Sequence, residues 1–87
     1  MARGRLRKIK IEWKRLTQAW GYAYPDEHRI ELDPRMNDKL LLEIASHEAA
    51  HIAAPYLDEA AVDLIGRQIG DVLHRIGFRR IEESEDK

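Results

Sequence analysis

The chain predicts an α+β domain: a short antiparallel or mixed sheet from the N-terminal half, packed on two helices from the C-terminal half. Three observations predict it. Apolar and polar residues alternate at Ile9, Ile11 and Trp13 and again at Ile30 and Leu32, the period of a strand with one buried face. Beyond Asn37 the apolar spacing changes to three and four residues over two long stretches, the period of amphipathic helices. Breakers fall where the patterns change, at Gly21, Pro25-Asp26, Asp33-Pro34, Pro55 and Gly77.

The first strand is expected over residues 7–15, with Ile9, Ile11 and Trp13 inward and Lys8, Lys10 and Glu12 outward. Leu16, Ala19 and Trp20 also permit a helical continuation, and Gly21 breaks either pattern. Residues 22–24 read as a second short strand, and Pro25-Asp26-Glu27 as a turn. Residues 29–33 form another strand, with Ile30 and Leu32 on one face. It stands either at a sheet edge, open to an added peptide strand, or in the interior. His28 beside it reads as a surface residue.

A helix is expected over residues 37–53, capped by Asn37 or Asp38 and ended before Pro55. Lys39, Glu43, Ser46 and Ala50 share an arc expected to face water. Leu40, Leu41, Ile44, Ala45 and Ile52 lie on the other side, and His47 and His51 sit at its edge. The last helix is expected over residues 59–76, from an Asp58 cap to a Gly77 stop. Its expected core stripe is Val62, Ile65, Ile69, Val72, Leu73 and Ile76, and its wet face is Arg67, Gln68, Asp71, His74 and Arg75. Glu59, Asp63, Gly66 and Gly70 make a row beside that stripe. Each interior glycine costs about 1 kcal/mol relative to alanine. Close approach of the first helix accounts for both, since a connector of about five residues favours antiparallel neighbours.

Composition narrows the classes. Hydrophobic residues at 44% and charged residues at 36% of 87 allow one modest core and exclude global disorder. Without cysteine, disulfides and thiolate metal sites are excluded, so a metal would be held by His, Asp and Glu. No signal peptide is visible. Residues 17–25 and 49–57 are the longest runs free of Asp, Glu, Lys and Arg, far short of the roughly 20 apolar residues of a membrane span. No membrane association is expected. The net charge of −1 divides into +6 over residues 1–15 and −7 over the remainder. A basic arm of this kind can bind nucleic acid. The alternation of Lys8, Lys10 and Glu12 with Ile9, Ile11 and Trp13 instead favours a solvated strand face. Residues 1–6 and 82–87 are expected to fray.

The stretch ASHEAAHIAAPYLDEAAVD, residues 45–63, carries the chemistry. Histidines four apart on a helix lie one turn above each other and can reach one metal ion. Glu48 projects beside them, where it can take a proton from a metal-activated water. A third ligand is needed, and Glu59 in the first turn of the next helix is the candidate, with Asp58 its rival. Asp63 follows one turn later and can orient a ligating imidazole.

HEAAH followed by Glu59-Ala-Ala-Val-Asp63 resembles the gluzincin branch of zinc metallopeptidases, the thermolysin-like arrangement in which HExxH precedes ExxxD on a second helix. The run HRIELDP and the helix leading into HEAAH also resemble minimal single-domain gluzincins and small phage-type metallopeptidase domains. The resemblance spans residues 22–78 and implies a single zincin-like domain over residues 1–87 with Zn2+ as cofactor. It implies His47, His51 and Glu59 as ligands, Glu48 as general base and Asp63 as the carboxylate behind a ligating histidine.

The implied activity is that of a zinc metalloendopeptidase on a peptide or protein substrate, in the cytoplasm, or in the host cytoplasm if phage-encoded. The chain departs from larger gluzincins in its interval of seven residues between His51 and Glu59 and in having few walls for a cleft. A second copy or a larger partner would complete one. Tyr56 in the connector is a candidate oxyanion stabiliser, with Tyr22 and Tyr24 as alternatives. His74 lies about 22 Å along the helix from Glu59. The alternative function is a zinc-stabilised binding module, recruited to nucleic acid through residues 3–15.

Overall fold

Strand β3 (Arg29–Leu32) forms the centre of the fold. It pairs in parallel with β1 (Lys10–Trp13) and antiparallel with β2 (Gly21–Tyr24), giving a mixed sheet of order β1-β3-β2. Helices α1 (Asp38–Ala53) and α2 (Glu59–Arg75) follow. The computed structural model describes residues 4–81; residues 1–3 and 82–87, most of the ends expected to fray, lie outside that range. The α+β class and the mixed sheet agree with the sequence. No helix of the described residues is long and apolar enough to cross a membrane.

Each element begins and ends for a local reason. Pro25–Glu27 make one 3-10 turn, and His28, at φ 51°, reverses the chain from β2 into β3. The ring Nε2 of His28 lies 3.1 Å from the Arg7 carbonyl, tying this turn to the arm before β1. Asn37 caps α1, its side chain accepting from the Leu40 amide at 2.9 Å. Asp58 caps α2, accepting from the Ala61 amide at 2.8 Å. After α2, Gly77 takes φ 103°, a conformation that favours glycine, and the helix stops there.

The layers are sheet, α1, α2. Helix α1 lies over β2 and β3, and α2 packs chiefly on α1. The main core is Ile30, Leu32, Met36, Leu41 and Ile52, with Ile9, Ala23, Leu40, Ile44 and Ala45 around it. Each fully buried large side chain contributes about 1.5–3 kcal/mol. Val62 on α2 is also fully buried.

Two ionic clusters hold the sheet and its entry loop. On the open face, Arg29 donates to Glu27, Glu12 and Glu31 at 2.8, 3.0 and 2.8 Å and stacks over the Tyr24 ring. Bonds to Glu27 and then Glu31 raise the guanidinium pKa further. The pairing compensates burial of the Glu31 carboxylate. At the end of β3, buried Asp33 accepts from the amides of Leu16 and Arg35 and from the Arg35 guanidinium. The Arg35 bonds, foremost, hold its carboxyl well below the usual range.

Several expectations are corrected. Strand β1 is shorter than residues 7–15, and Ile11 and Trp13 are about half exposed because α1 lies over the other two strands. Residues 29–32 form the central strand, so the exposed edges belong to β1 and β2. The arc of Lys39, Glu43, Ser46 and Ala50 is not wholly wet: α2 packs across Glu43, and only Lys39 is exposed. Half of the stripe expected to be α2's core is open: Ile69, Val72 and Ile76 are exposed, Ile65 and Leu73 are half-buried, and Val62 alone is fully buried. The contact with α1 instead uses the glycine row. A Cβ at Gly70 would stand 2.7 Å from the Glu43 Cα, and one at Gly66 would stand 2.9 Å from the His47 Cβ.

Candidate metal centre

The glycine row explains the site. Without Cβ atoms at Gly66 and Gly70, the α1 backbone approaches α2 closely. Glu59 and Asp63 lie on that same row, two turns and one turn before Gly66 respectively, and therefore face α1. His47 and His51 lie one turn apart on α1 with ring centroids 5.0 Å apart. Glu59 reaches both rings: Oε2 is 3.1 Å from His47 Nε2, and Oε1 is 3.0 Å from His51 Nε2. One donor atom from each of the three residues falls within 4.8 Å of the others, a grouping that could hold a metal ion. Asp58 is occupied as the helix cap, which separates it from Glu59 in role.

Asp63 stands behind His47, its carboxylate 3.8 Å from Nδ1, beyond direct hydrogen-bond length. The same carboxylate lies 3.6 Å from the Arg67 guanidinium. The two imidazole side chains are mostly buried, at 12% and 24% exposure, whereas Glu59 is 72% exposed. The histidines are thus held by packing, and Glu59 is held by the helix it starts.

Glu48 points to the sheet side of α1 and is 8% exposed. Burial pushes its carboxyl pKa up; the neighbouring imidazoles oppose the shift, and Glu59 adds to it. Its neighbour is the start of β2. A Cβ at Gly21 would meet Glu48 Cγ at 3.0 Å and Ile44 Cγ2 at 2.9 Å. Glycine at this position lets the edge strand close over the carboxylate. A cleft of about 350 Å3 runs between β2 and the paired histidines, bounded by Gly21, Tyr22, Ala23 and Pro25 on one side and His47, Glu48, His51 and Glu59 on the other.

Tyr56 is 84% exposed in the connector and is not among the residues lining this cleft, whereas Tyr22 is. Tyr24 donates its hydroxyl to Glu31 at 3.2 Å, and His74 lies in the last turn of α2. In the sequence Gly21 reads only as a breaker, and nothing there makes β2 the cleft wall. The signal was present in a glycine that opens an aromatic strand, but nothing local says which helix residue that glycine must admit. Searches against protein-family models, curated proteins and solved structures found no match to this chain.

Proposed function

We propose that this chain is a zinc-dependent metallopeptidase of the gluzincin type with a minimal zincin-like fold. The reading is carried by the convergence of His47, His51 and Glu59 donors within 4.8 Å beside the buried Glu48. Two imidazoles and a carboxylate are a donor set suited to catalytic zinc. His47, His51 and Glu59 would hold the ion, and Asp63 would steady the His47 ring. When bound, zinc supplies Lewis acidity to a water and to a carbonyl oxygen. Glu48 takes the proton of the attacking water and delivers it to the departing amine. A carboxyl whose pKa is raised by burial suits both halves of that transfer. Edge strand β2 offers unpaired backbone groups to an extended peptide lying along the cleft.

The test is metal analysis followed by peptide hydrolysis. About one zinc per chain is expected, with loss of at least about 100-fold in turnover for Glu48→Gln and no loss of metal. Equal hydrolysis by the two proteins would remove catalysis from the proposal, and absence of zinc from both would remove the centre itself.

A second reading, a zinc-stabilised module that binds nucleic acid, is favoured by the arm before and after β1. Arg5, Arg7, Lys8 and Arg15 are exposed and make no ion pair among the described residues. Binding to DNA or RNA that weakens steeply with salt, and that is lost when these four become Gln, would support it.

A further inference from the structure

We propose that the sheet face turned away from α1 binds single-stranded nucleic acid, with bases stacked on Trp20 and Tyr22 and phosphates held by the basic side chains of β1 and its flanks. The inference rests on the nucleic-acid reading above and names the surface and the kind of strand it takes. Side-chain alternation sets the face. A Cβ at Gly21 would point at Ile44 and Glu48 of α1, so the neighbouring Trp20 and Tyr22 point the other way. The Asp33 amide donates to the Trp20 carbonyl at 2.9 Å, which carries the pairing of β2 with β3 one residue beyond β2 and keeps Trp20 in register. Helix α1 lies over the opposite face, and Trp20 and Tyr22 are left 42% and 37% exposed.

The occupant follows from charge and spacing. Strand register sets Lys10, Arg29 and Tyr24 in one row across the sheet and Glu12, Glu31 and Tyr22 in the next, so a charged border on β1 runs beside an aromatic border on β2. The two carboxylates of this face are already paired: Glu12 with Lys10 and Arg29 at 3.3 and 3.0 Å, Glu31 with Arg29 and Lys14 at 2.8 and 3.9 Å. Arg5, Arg7, Lys8 and Arg15, before and after β1, add positive charge that has no carboxylate partner among the described residues. A chain of net charge −1 thus gathers positive charge beside its open rings. Basic side chains that track a backbone, next to aromatic rings that stack bases, are the pairing that binds single strands. An acidic peptide would match the charge and leave the rings without a role. Trp20 and Tyr22 lie about 6.7 Å apart along the strand, roughly twice the rise between stacked bases. A polynucleotide must unstack to occupy both, which a duplex does not do.

The probe is oligo(dT) of about ten nucleotides. The chain has two tryptophans, and they stand on opposite faces: Trp13 is in register with Leu32 of the core, its ring under the Arg80 guanidinium at 4.5 Å. The oligonucleotide should quench the Trp20 fluorescence of Trp13→Phe and leave the Trp13 fluorescence of Trp20→Phe unchanged. Trp20→Ala and Tyr22→Ala should each weaken binding roughly fivefold or more, measured by anisotropy at low salt, with unchanged circular dichroism. Trp20→Phe keeps a ring that can stack and should bind nearly as the wild type, which separates loss of the ring from disturbance of the fold. Duplex DNA of the same length should bind more weakly than the single strand. Quenching of Trp13 in place of Trp20, duplex bound as tightly as single strand, tighter binding of poly-glutamate than of oligo(dT), or affinity indifferent to both alanine variants would overturn the proposal. If binding is indifferent to the rings yet lost when Arg5, Arg7, Lys8 and Arg15 become Gln, the nucleic-acid reading stands without this face. A wild type that binds no oligo(dT) at low salt removes both.

Discussion

Asp58 and Glu59 stand side by side at the start of α2, and their side chains leave in different directions. Asp58 accepts from the Ala61 amide, whereas Glu59 reaches back to the two histidines of α1. Asp58→Ala should therefore cost about 1 kcal/mol of stability, read as a lower melting temperature in chelator, with zinc affinity unchanged. Glu59→Ala should do the reverse. Its zinc affinity should fall by more than the roughly 10- to 100-fold typical of an outer-sphere partner, measured by competition with a chromophoric chelator. Equal losses of affinity in the two variants would contradict this division.

Asp33 gives a separate prediction at the same scale. Its folded carboxyl titrates below its ordinary 3.8, with Arg35 the main cause. In acid the unfolded chain therefore binds more protons than the folded one. The stabilising contribution is complete above 3.8 and is lost as pH falls toward the lower folded value. Asp33→Asn should lower the melting temperature at neutral pH and flatten its decline in acid. Parallel wild-type and variant curves down to about pH 2 would show that Asp33 is not the group responsible.

At the scale of elements, the contact between α1 and α2 depends on two missing methyl groups. Propensity alone says that Gly→Ala in a helix gains about 1 kcal/mol. Here the added Cβ at Gly70 would meet backbone, the Glu43 Cα at 2.7 Å and N at 2.8 Å, which cannot move aside as a flexible side chain can. Gly70→Ala should destabilise the protein by about 1–3 kcal/mol, the usual cost of overpacking, in urea unfolding with or without zinc. Gly66→Ala pushes against the Cβ of His47 instead, so it should also weaken zinc binding. A stabilised Gly70→Ala would mean that the helices separate readily. Gly21 has the same character on the opposite side of α1, where the edge strand closes over Glu48.

At the scale of the molecule, a metal ion would reinforce the contact between α1 and α2, which lies outside the main core. The main core lies between the sheet and α1, and α2 is held on α1 by Val62 and the close packing at the glycine row. A bound ion would tie α1 to α2. Saturating zinc should raise the melting temperature, equivalent to about 4 kcal/mol when free zinc is 1,000 times its Kd, and chelator should reverse it. A melting temperature indifferent to chelator would count against a metal that bridges the two helices.

The division between sequence and structure can be traced through particular residues. Local patterns identified both helices, the Asp58 cap, Asn37 as one of two candidate caps beside Asp38, the short strands, and the Gly77 stop. They also brought His47, Glu48, His51, Glu59 and Asp63 into one neighbourhood, because helix periodicity and a short connector limit where those side chains can lie. They did not identify which apolar face the chain would cover. Ile11 and Trp13 alternate as a buried strand does, and Ile69, Val72 and Ile76 repeat as a core helix does, yet all five are substantially exposed. Periodicity records a preference for burial, whereas burial itself depends on what packs opposite. Only the tertiary structure decided that α1 covers β2 and β3, that α2 meets α1 through its glycines, and that Gly21 of the edge strand closes over Glu48. Those outcomes depend on contacts between residues far apart in the chain, which no local spacing encodes.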